Sequence, residues 1–325
     1  MYELLRQIDG RTKLAGTNKL EILLFSLGTE RSSGRRETYG INVFKVREVM
    51  RTPAITRAPD MPPSVEGMVS LRGILVPVVD LAKYAGIDVV TSPEIMIVTE
   101  YNLHTQGFLV EAVDTILRID WSSMRVPPDM LVKTTGGFVT AVTELSDGRL
   151  VMMLDVERVL FETTRQDDEL VFRDVKPIET GEHTILFADD SSVARKQIAR
   201  TLDALKVRQI SAINGTQAWQ ELDKIATLAE TNHRRASDYV HLVLTDVEMP
   251  EMDGFILTKR IKSDPRLSDI PVIMHSSLSG MQNQHLGLSV GVDEYVSKFE
   301  PRRLAEVLTR HLAGVRARVH KPVEA

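Results

Sequence analysis

A chain of 325 residues is too long for one ordinary core and predicts two domains. Its 43% hydrophobic and 26% charged content is that of a soluble globular protein. A net charge of −5, with only short basic clusters such as Arg35-Arg36, His233-Arg234-Arg235 and Arg302-Arg303, argues against a nucleic-acid binder. With no cysteine, disulfides, thiolate metal sites and cysteine nucleophiles are excluded. Met1–Arg6 does not open a secretory leader, and no apolar run approaches the ~18 residues of a membrane span, so the expected location is the cytoplasm without membrane insertion.

From about Lys19 to Leu160 the apolar runs are short and separated by turn residues. Glu21–Leu27, Val65–Leu71, Ile74–Val79, Ile95–Val98, Gly107–Val110, Val113–Ile119, Gly137–Val142 and Leu150–Leu154 read as strands. Arg72-Gly73 and Asp147-Gly148 read as tight turns between strands. Val43–Val49 is expected to be a short helix crossing between strands, and Val156–Phe161 another that closes the domain. Val43, Val46, Val49, Val76, Val78 and Leu81 are expected in the core. This rhythm predicts an all-β sandwich or barrel. Glu162–Glu182, polar with Pro177 and Gly181, reads as a linker whose Glu169-Leu170-Val171-Phe172 could pack on a domain.

From His183 strands and helices alternate. Strands are expected at Thr184–Ala188, Val207–Ile213, Val240–Thr245, Pro271–His275 and Glu294–Val296. Helices are expected at Val193–Ala204, Thr216–Leu228, Phe255–Lys262 and Pro301–Leu312. Five such alternations imply a five-stranded parallel sheet covered on both faces, with flavodoxin-like strand order 2-1-3-4-5. Ala229–Asp238 is expected to be an inserted surface loop.

Parallel sheets carry their reactive groups at the carboxyl ends of the strands. Asp189-Asp190 follow the first strand of this half, Asp246 the third, Ser276 the fourth and Lys298 the fifth. Each has an ordinary alternative: Asp189-Asp190 as a turn or helix cap, Asp246 as a turn residue, Ser276 as a cap, Lys298 as a surface lysine. Four suitable types after four different strands favour one site. Three carboxylates ~4 Å apart repel by roughly 4 kcal/mol per pair at an effective dielectric of ~20, so the crevice calls for a cation. Oxygen-only ligands select a hard ion, and Mg²⁺ suits a site with few protein carboxylates. Asp246 would then be ionised and able to attack phosphorus, with Lys298 and Ser276 meeting the phosphoryl oxygens.

Thr184–His311 resembles the receiver domain of two-component signalling, on Phe187-Ala188-Asp189-Asp190-Ser191, Thr245–Gly254 and Tyr295-Val296-Ser297-Lys298. The resemblance implies that Asp246 is the phosphoacceptor. Asp190 would bind Mg²⁺ directly, Asp189 through water, and Glu248 through its backbone carbonyl. Ser276 would be the switch hydroxyl and Tyr295 the switch aromatic. Two departures stand out. Phe299 follows Lys298 where receivers commonly have a proline with a cis bond, which puts the loop geometry in question. Glu248 would set an acidic side chain facing the phosphoryl group.

Asn18–Phe161 resembles the CheW-type coupling domain of bacterial chemotaxis, on Tyr39–Val49 and the hairpin Val65–Leu81, with Ser70 where that family usually has asparagine. Such domains fold as two small five-stranded barrels and link chemoreceptors to the histidine kinase CheA. Arg72, at the bend of the hairpin, is the expected partner-binding residue; the other reading is an exposed turn arginine. The first half assembles no catalytic site.

A coupling domain followed by a receiver is the layout of CheV proteins, which Asp9–Glu21 also resembles. The expected divisions are an extension over 1–17, a coupling domain over 18–165, a linker over 166–182, a receiver over 183–315 and a tail over 316–325. The resemblance implies a non-enzymatic adaptor at membrane-associated receptor arrays, coupling methyl-accepting chemoreceptors to CheA and regulated by phosphorylation of Asp246. CheW is a further candidate partner. Two rival readings are a phosphate sink for CheA, with the coupling domain as tether, and a Mg²⁺-dependent phosphatase using Glu248 as general acid.

Overall fold

The computed structural model describes residues 19–57, 59–101, 104–128, 130–131, 135–164, 175–178, 182–277, 290–298 and 300–319. Contacts divide the chain into Met1–Arg165 and Gln166–Ala325. In chain order the first unit comprises β1 (Lys19–Ser26), β2 (Thr38–Asn42), a 3₁₀ turn (Val43–Lys45), β3 (Val46–Arg51), β4 (Val65–Leu71), β5 (Ile74–Asp80), α1 (Leu81–Tyr84), β6 (Ile95–Tyr101), β7 (His104–Val110), β8 (Ala112–Asp120), β9 (Val139–Glu144), β10 (Leu150–Leu154) and α2 (Val156–Thr164). Two five-stranded sheets result, ordered β8-β1-β2-β10-β9 and β3-β6-β7-β5-β4. The second is therefore inserted between the halves of the first.

Each sheet curls round toward its own far edge. Arg125, beyond edge strand β8, bridges to Val142 of β9, and Thr56, beyond β3, bridges to Met68 of β4. Both expected barrels are thus joined by single bridges; among the described residues no continuous ladder closes either. Leu20, Ile22 and Leu24 of β1 fill the first sheet's interior, while Leu23 and Phe25 point into the core shared with the second. Burial on both faces is why β1 reads as an unbroken apolar run. Val156, Val159 and Leu160 of α2 join that shared core, and Lys45 Nζ pairs with Glu157 Oε1 of α2 at 2.8 Å.

The helix expected over Val43–Val49 is a single 3₁₀ turn followed by β3. Asn42 accepts from the Phe44 amide at 3.0 Å and starts the turn. The misreading has a cause: the β3–β6 register shifts between Val46 and Glu48. The extra residue of this bulge turns a three-residue spacing onto one face of a strand, so Val46 and Val49 are both buried. Val43, Val76, Val78 and Leu81 are also in the core, as expected. Arg72 and Gly73 form a two-residue turn between the paired Leu71 and Ile74, with φ of +49° and +83°. Positive φ at both positions matches the twist of a tight hairpin.

The second unit comprises β11 (Thr184–Ala188), α3 (Ser192–Ala204), β12 (Arg208–Ala212), α4 (Gly215–Thr231), β13 (Leu242–Thr245), α5 (Gly254–Ser263), β14 (Val272–Ser276), β15 (Glu294–Ser297) and α6 (Pro301–Val319). Its sheet is parallel, ordered β12-β11-β13-β14-β15, the expected 2-1-3-4-5. Leu186, Val243 and Val272 face α4 and α5, while Ile185, Phe187, Leu244 and Ile273 face α3 and α6.

The inserted loop expected over Ala229–Asp238 is only partly a loop. Ala229 continues the buried stripe Ala218, Leu222, Ala226, so α4 runs on to Thr231. Ala236 is buried at the start of a 3₁₀ turn over Ala236–Asp238. Part of the expected linker sits on the receiver: Val175 and Ile178 pack against the α3/α6 core, and the Ile178 amide donates to the Leu205 carbonyl at 3.0 Å. Glu169–Phe172 lies outside the described residues. No helix among the described residues is long and apolar enough to cross a membrane.

Candidate functional site

The ladders bring four strand ends level. Ala188 pairs with Thr245, and Ser276 with Ser297. The pairing extends one step further: the Asp246 amide donates to Ala188 O at 2.8 Å, and the Lys298 amide to Ser276 O at 3.0 Å. Asp189, Asp190, Asp246, Ser276 and Lys298 therefore stand along one rim.

The carboxylates of Asp189, Asp190 and Asp246 offer ligand oxygens within 4.8 Å of one another. Lys298 is 1% exposed and reaches into the cluster. Its ammonium donates to Asp246 Oδ2 at 2.8 Å and lies 3.0 Å from Asp189 Oδ2. Backbone amides hold the other oxygens: Ser191 N donates to Asp189 Oδ1 at 2.9 Å, and Val247 N to Asp246 Oδ1 at 2.7 Å. Both acids are thereby oriented from two sides. One ammonium cannot neutralise three carboxylates, two of them buried and Asp190 partly so, and every side-chain donor in the cluster is a carboxylate oxygen. That set fits a hard divalent cation.

Ser276 is buried at the end of β14, and Glu248 is buried two residues beyond Asp246. Tyr295 of β15 is hydrogen-bonded to Ser276. Burial pushes the Tyr295 phenol well above its ordinary range; the Ser276 hydrogen bond opposes this, and the charges of Asp246 and Glu248 add to it. The structure thus brings together all the receiver residues singled out from the sequence. The Lys298–Phe299 peptide lies outside the described residues. Arg72 belongs to the other unit, where its side chain is 72% exposed and pairs with Glu48 Oε2 at 2.9 Å.

Three supporting residues were given no role from the sequence, although Asp253 and Gly254 lie in the Thr245–Gly254 motif. Arg195 donates to the carbonyls of both Asp189 and Asp190. Gly254 passes against the Asp246 carbonyl, where a side chain would not fit. Asp253 caps α5, accepting from the Ile256 amide at 2.7 Å. Its place before Gly254 at a helix start was a legible cap signal.

Burial raises the Asp253 carboxyl to about 6, against the pull of the Ile256 and Phe255 amides. The unfolded chain titrates near 3.8, so folding takes up a proton between 3.8 and about 6. The stability that Asp253 contributes is therefore fully present below this window and is lost as pH rises through it. Asp253→Asn keeps a capping oxygen and removes the buried charge. The variant is expected to exceed wild type by about 1–3 kcal/mol near neutral pH, the gain shrinking as pH falls below 6. Urea denaturation at several pH values checks this; a gain independent of pH refutes it.

Comparison with known proteins agrees with this architecture. The CheW-like domain model matches residues 21–163, and the response regulator receiver domain model matches residues 185–309. The chain is similar to chemotaxis protein CheV3 of Helicobacter pylori, 30% identical over 279 residues, covering 84% of this chain and 88% of that one. It is also similar to CheV1 of the same organism, 27% identical over 331 residues and covering 96% and 99% of the two chains. CheV2 is 28% identical over 327 residues, covering 95% and 100%. With both domains matched in this order and the likeness running nearly end to end, the chain belongs to the CheV family of chemotaxis proteins, adaptors that join a CheW-like domain to a receiver domain.

Proposed function

We propose that this chain couples chemoreceptors to the histidine kinase CheA through its CheW-like domain, and that a phosphoryl group on Asp246 sets the coupling. The observation that carries the reading is the buried Asp246 carboxylate, held by Val247 N and Lys298 beside two further acids. Asp190, Asp246 and the Glu248 carbonyl would hold Mg²⁺, with Asp189 acting through water. Bound there, Mg²⁺ supplies positive charge to the phosphoryl oxygens.

In the transfer, an Asp246 oxygen forms a bond to phosphorus as the bond from phosphorus to the CheA histidine nitrogen breaks. The nitrogen keeps the electron pair. Lys298 then exchanges its contact with Asp246 for a phosphoryl oxygen, and Ser276 offers its hydroxyl to another. The acyl phosphate carries about two negative charges where the carboxylate carried one. Ser276 now bonds Tyr295, so drawing it inward changes the rotamer preference of Tyr295 and the packing of β15 and α6. A two-state rearrangement biased in this way is what can alter coupling.

On the other unit, Arg72 is the proposed partner contact. It projects from a hairpin tip beside Ile74 and Leu75, which are 47% and 69% exposed. A charge next to exposed apolar side chains suits a protein interface. These contacts would place the chain at receptor arrays on the cytoplasmic side of the membrane, with CheW as a further partner.

The test is transfer of labelled phosphate from CheA, with Mg²⁺, followed by recovery of receptor–kinase complexes. Wild type is expected to take label, Asp246→Asn none, and Arg72→Glu is expected to take label but lose the complexes. Label on Asp246→Asn sinks the assignment. Rapid label decay with complexes indifferent to phosphodonor favours a phosphate sink instead. Glu248, buried two residues from Asp246, keeps a phosphatase reading in view, and turnover of a small phosphate ester would revive it.

A further inference from the structure

We propose that Arg195 is the positioning residue of the acidic pair, fixing the backbone from which Asp189 and Asp190 reach a divalent cation. The inference rests on reading Asp189, Asp190 and Asp246 as a cation and phosphoryl site. Strand β11 ends at Ala188, so the next two carbonyls lie beyond its named span. One Arg195 nitrogen, Nη1, donates to both, at 2.8 Å to Asp189 O and 2.9 Å to Asp190 O. The arginine is itself anchored. Its amide donates to Ser191 O at 3.0 Å, and Ser191 caps α3 by accepting from Ala194 N at 3.3 Å. The bend from strand to helix is thus closed into a small ring of hydrogen bonds running through Asp189, Asp190, Ser191 and Arg195. Its conformation decides where both carboxylates aim.

A positive side chain near the start of a helix opposes the helix dipole and is unfavourable there. Here the unfavourable placement is offset by two charge-assisted bonds to carbonyls. The guanidinium binds the backbone of the pair, while Lys298 binds side-chain oxygens of Asp189 and Asp246. Residues that hold metal ligands without touching the metal typically change affinity about 10–100-fold when removed.

The sign of the effect separates positioning from charge. Removing a cation beside a Mg²⁺ site tightens Mg²⁺ binding by Coulomb's law alone, whereas removing a positioning residue weakens it. Titration calorimetry of the full chain with Mg²⁺, without phosphodonor, reads this directly. Arg195→Ala is expected to bind Mg²⁺ at least about 10-fold more weakly than wild type. Arg195→Gln, too short to span both carbonyls, is expected to do the same and stands in should the alanine variant fold poorly. Affinity equal to or tighter than wild type in a folded variant overturns the inference. Failure of wild type itself to bind Mg²⁺ overturns the underlying reading of the site, and the inference with it.

Discussion

Lys298→Met is expected to abolish efficient phosphoryl acceptance and to make the receiver's stability depend on divalent cation. Methionine nearly matches the lysine stem in length, so packing is preserved while the charge is lost. In wild type the ammonium meets Asp246 at 2.8 Å and Asp189 at 3.0 Å, with Asp190 also in the cluster. Breaking a buried ion pair by removing one partner costs about 3–5 kcal/mol, because the remaining charge stays buried. Here the remaining charges also repel one another, by roughly 4 kcal/mol per pair at ~4 Å and an effective dielectric of ~20. In chelator the receiver transition should therefore fall by about 3–5 kcal/mol. Excess Mg²⁺ should restore much of that loss, and should stabilise the variant more than it stabilises wild type. Acceptance of phosphate should fall about 10²–10³-fold, the usual effect of deleting one preorganised donor to transferring charge. Stability in chelator equal to that of wild type would show that Lys298 does not offset the acidic cluster.

The receiver's reactive rim was legible because topology does the assembling. Once five strand–helix alternations are read, a residue's position after its strand determines which edge it occupies, and Asp189, Asp190, Asp246, Ser276 and Lys298 fall on one edge. Strands buried on both faces leave continuous apolar runs that are hard to misplace. The CheW-like half is less transparent. Periodicity assigns Val43, Val46 and Val49 to a helix, and only the bulge between Val46 and Glu48 reconciles that spacing with a strand. The extension of α4 through Ala229 was masked by polar neighbours, since one buried alanine gives little signal among Glu230, Thr231 and Asn232. Arg195 was invisible for a different reason. Side-chain bonds to backbone carbonyls depend on the path of a loop and on a rotamer, neither of which residue type and spacing encode.

Gly254→Ala is expected to destabilise the receiver although alanine is the better helix former. Gly254 opens α5 behind the Asp253 cap, and its φ is not in the left-handed region. Helix propensity alone would favour alanine by about 1 kcal/mol. An added Cβ, however, would lie 2.0 Å from the Asp246 carbonyl oxygen and 3.0 Å from its carbon. That backbone has little room to yield. The Asp246 amide is tied to Ala188 O at 2.8 Å, the Thr245 hydroxyl donates to Asp246 O at 2.9 Å, and Gly254 N itself donates to Val247 O at 3.0 Å. Overpacking of this kind costs about 1–3 kcal/mol or more, so a net loss near 2 kcal/mol is expected in denaturant titration. The strain falls on the residue that must meet phosphorus, and misplacement by about 1 Å can cost about 10²-fold in rate. Label uptake should therefore drop well beyond what the lost stability explains. Gly148→Ala supplies the contrast: its φ is +82° and nothing lies near its Cβ position. That change should cost about 1 kcal/mol through backbone conformation and leave label uptake untouched. If Gly254→Ala is as stable and as readily labelled as wild type, the tight passage of α5 against Asp246 is not what holds the phosphoacceptor in place.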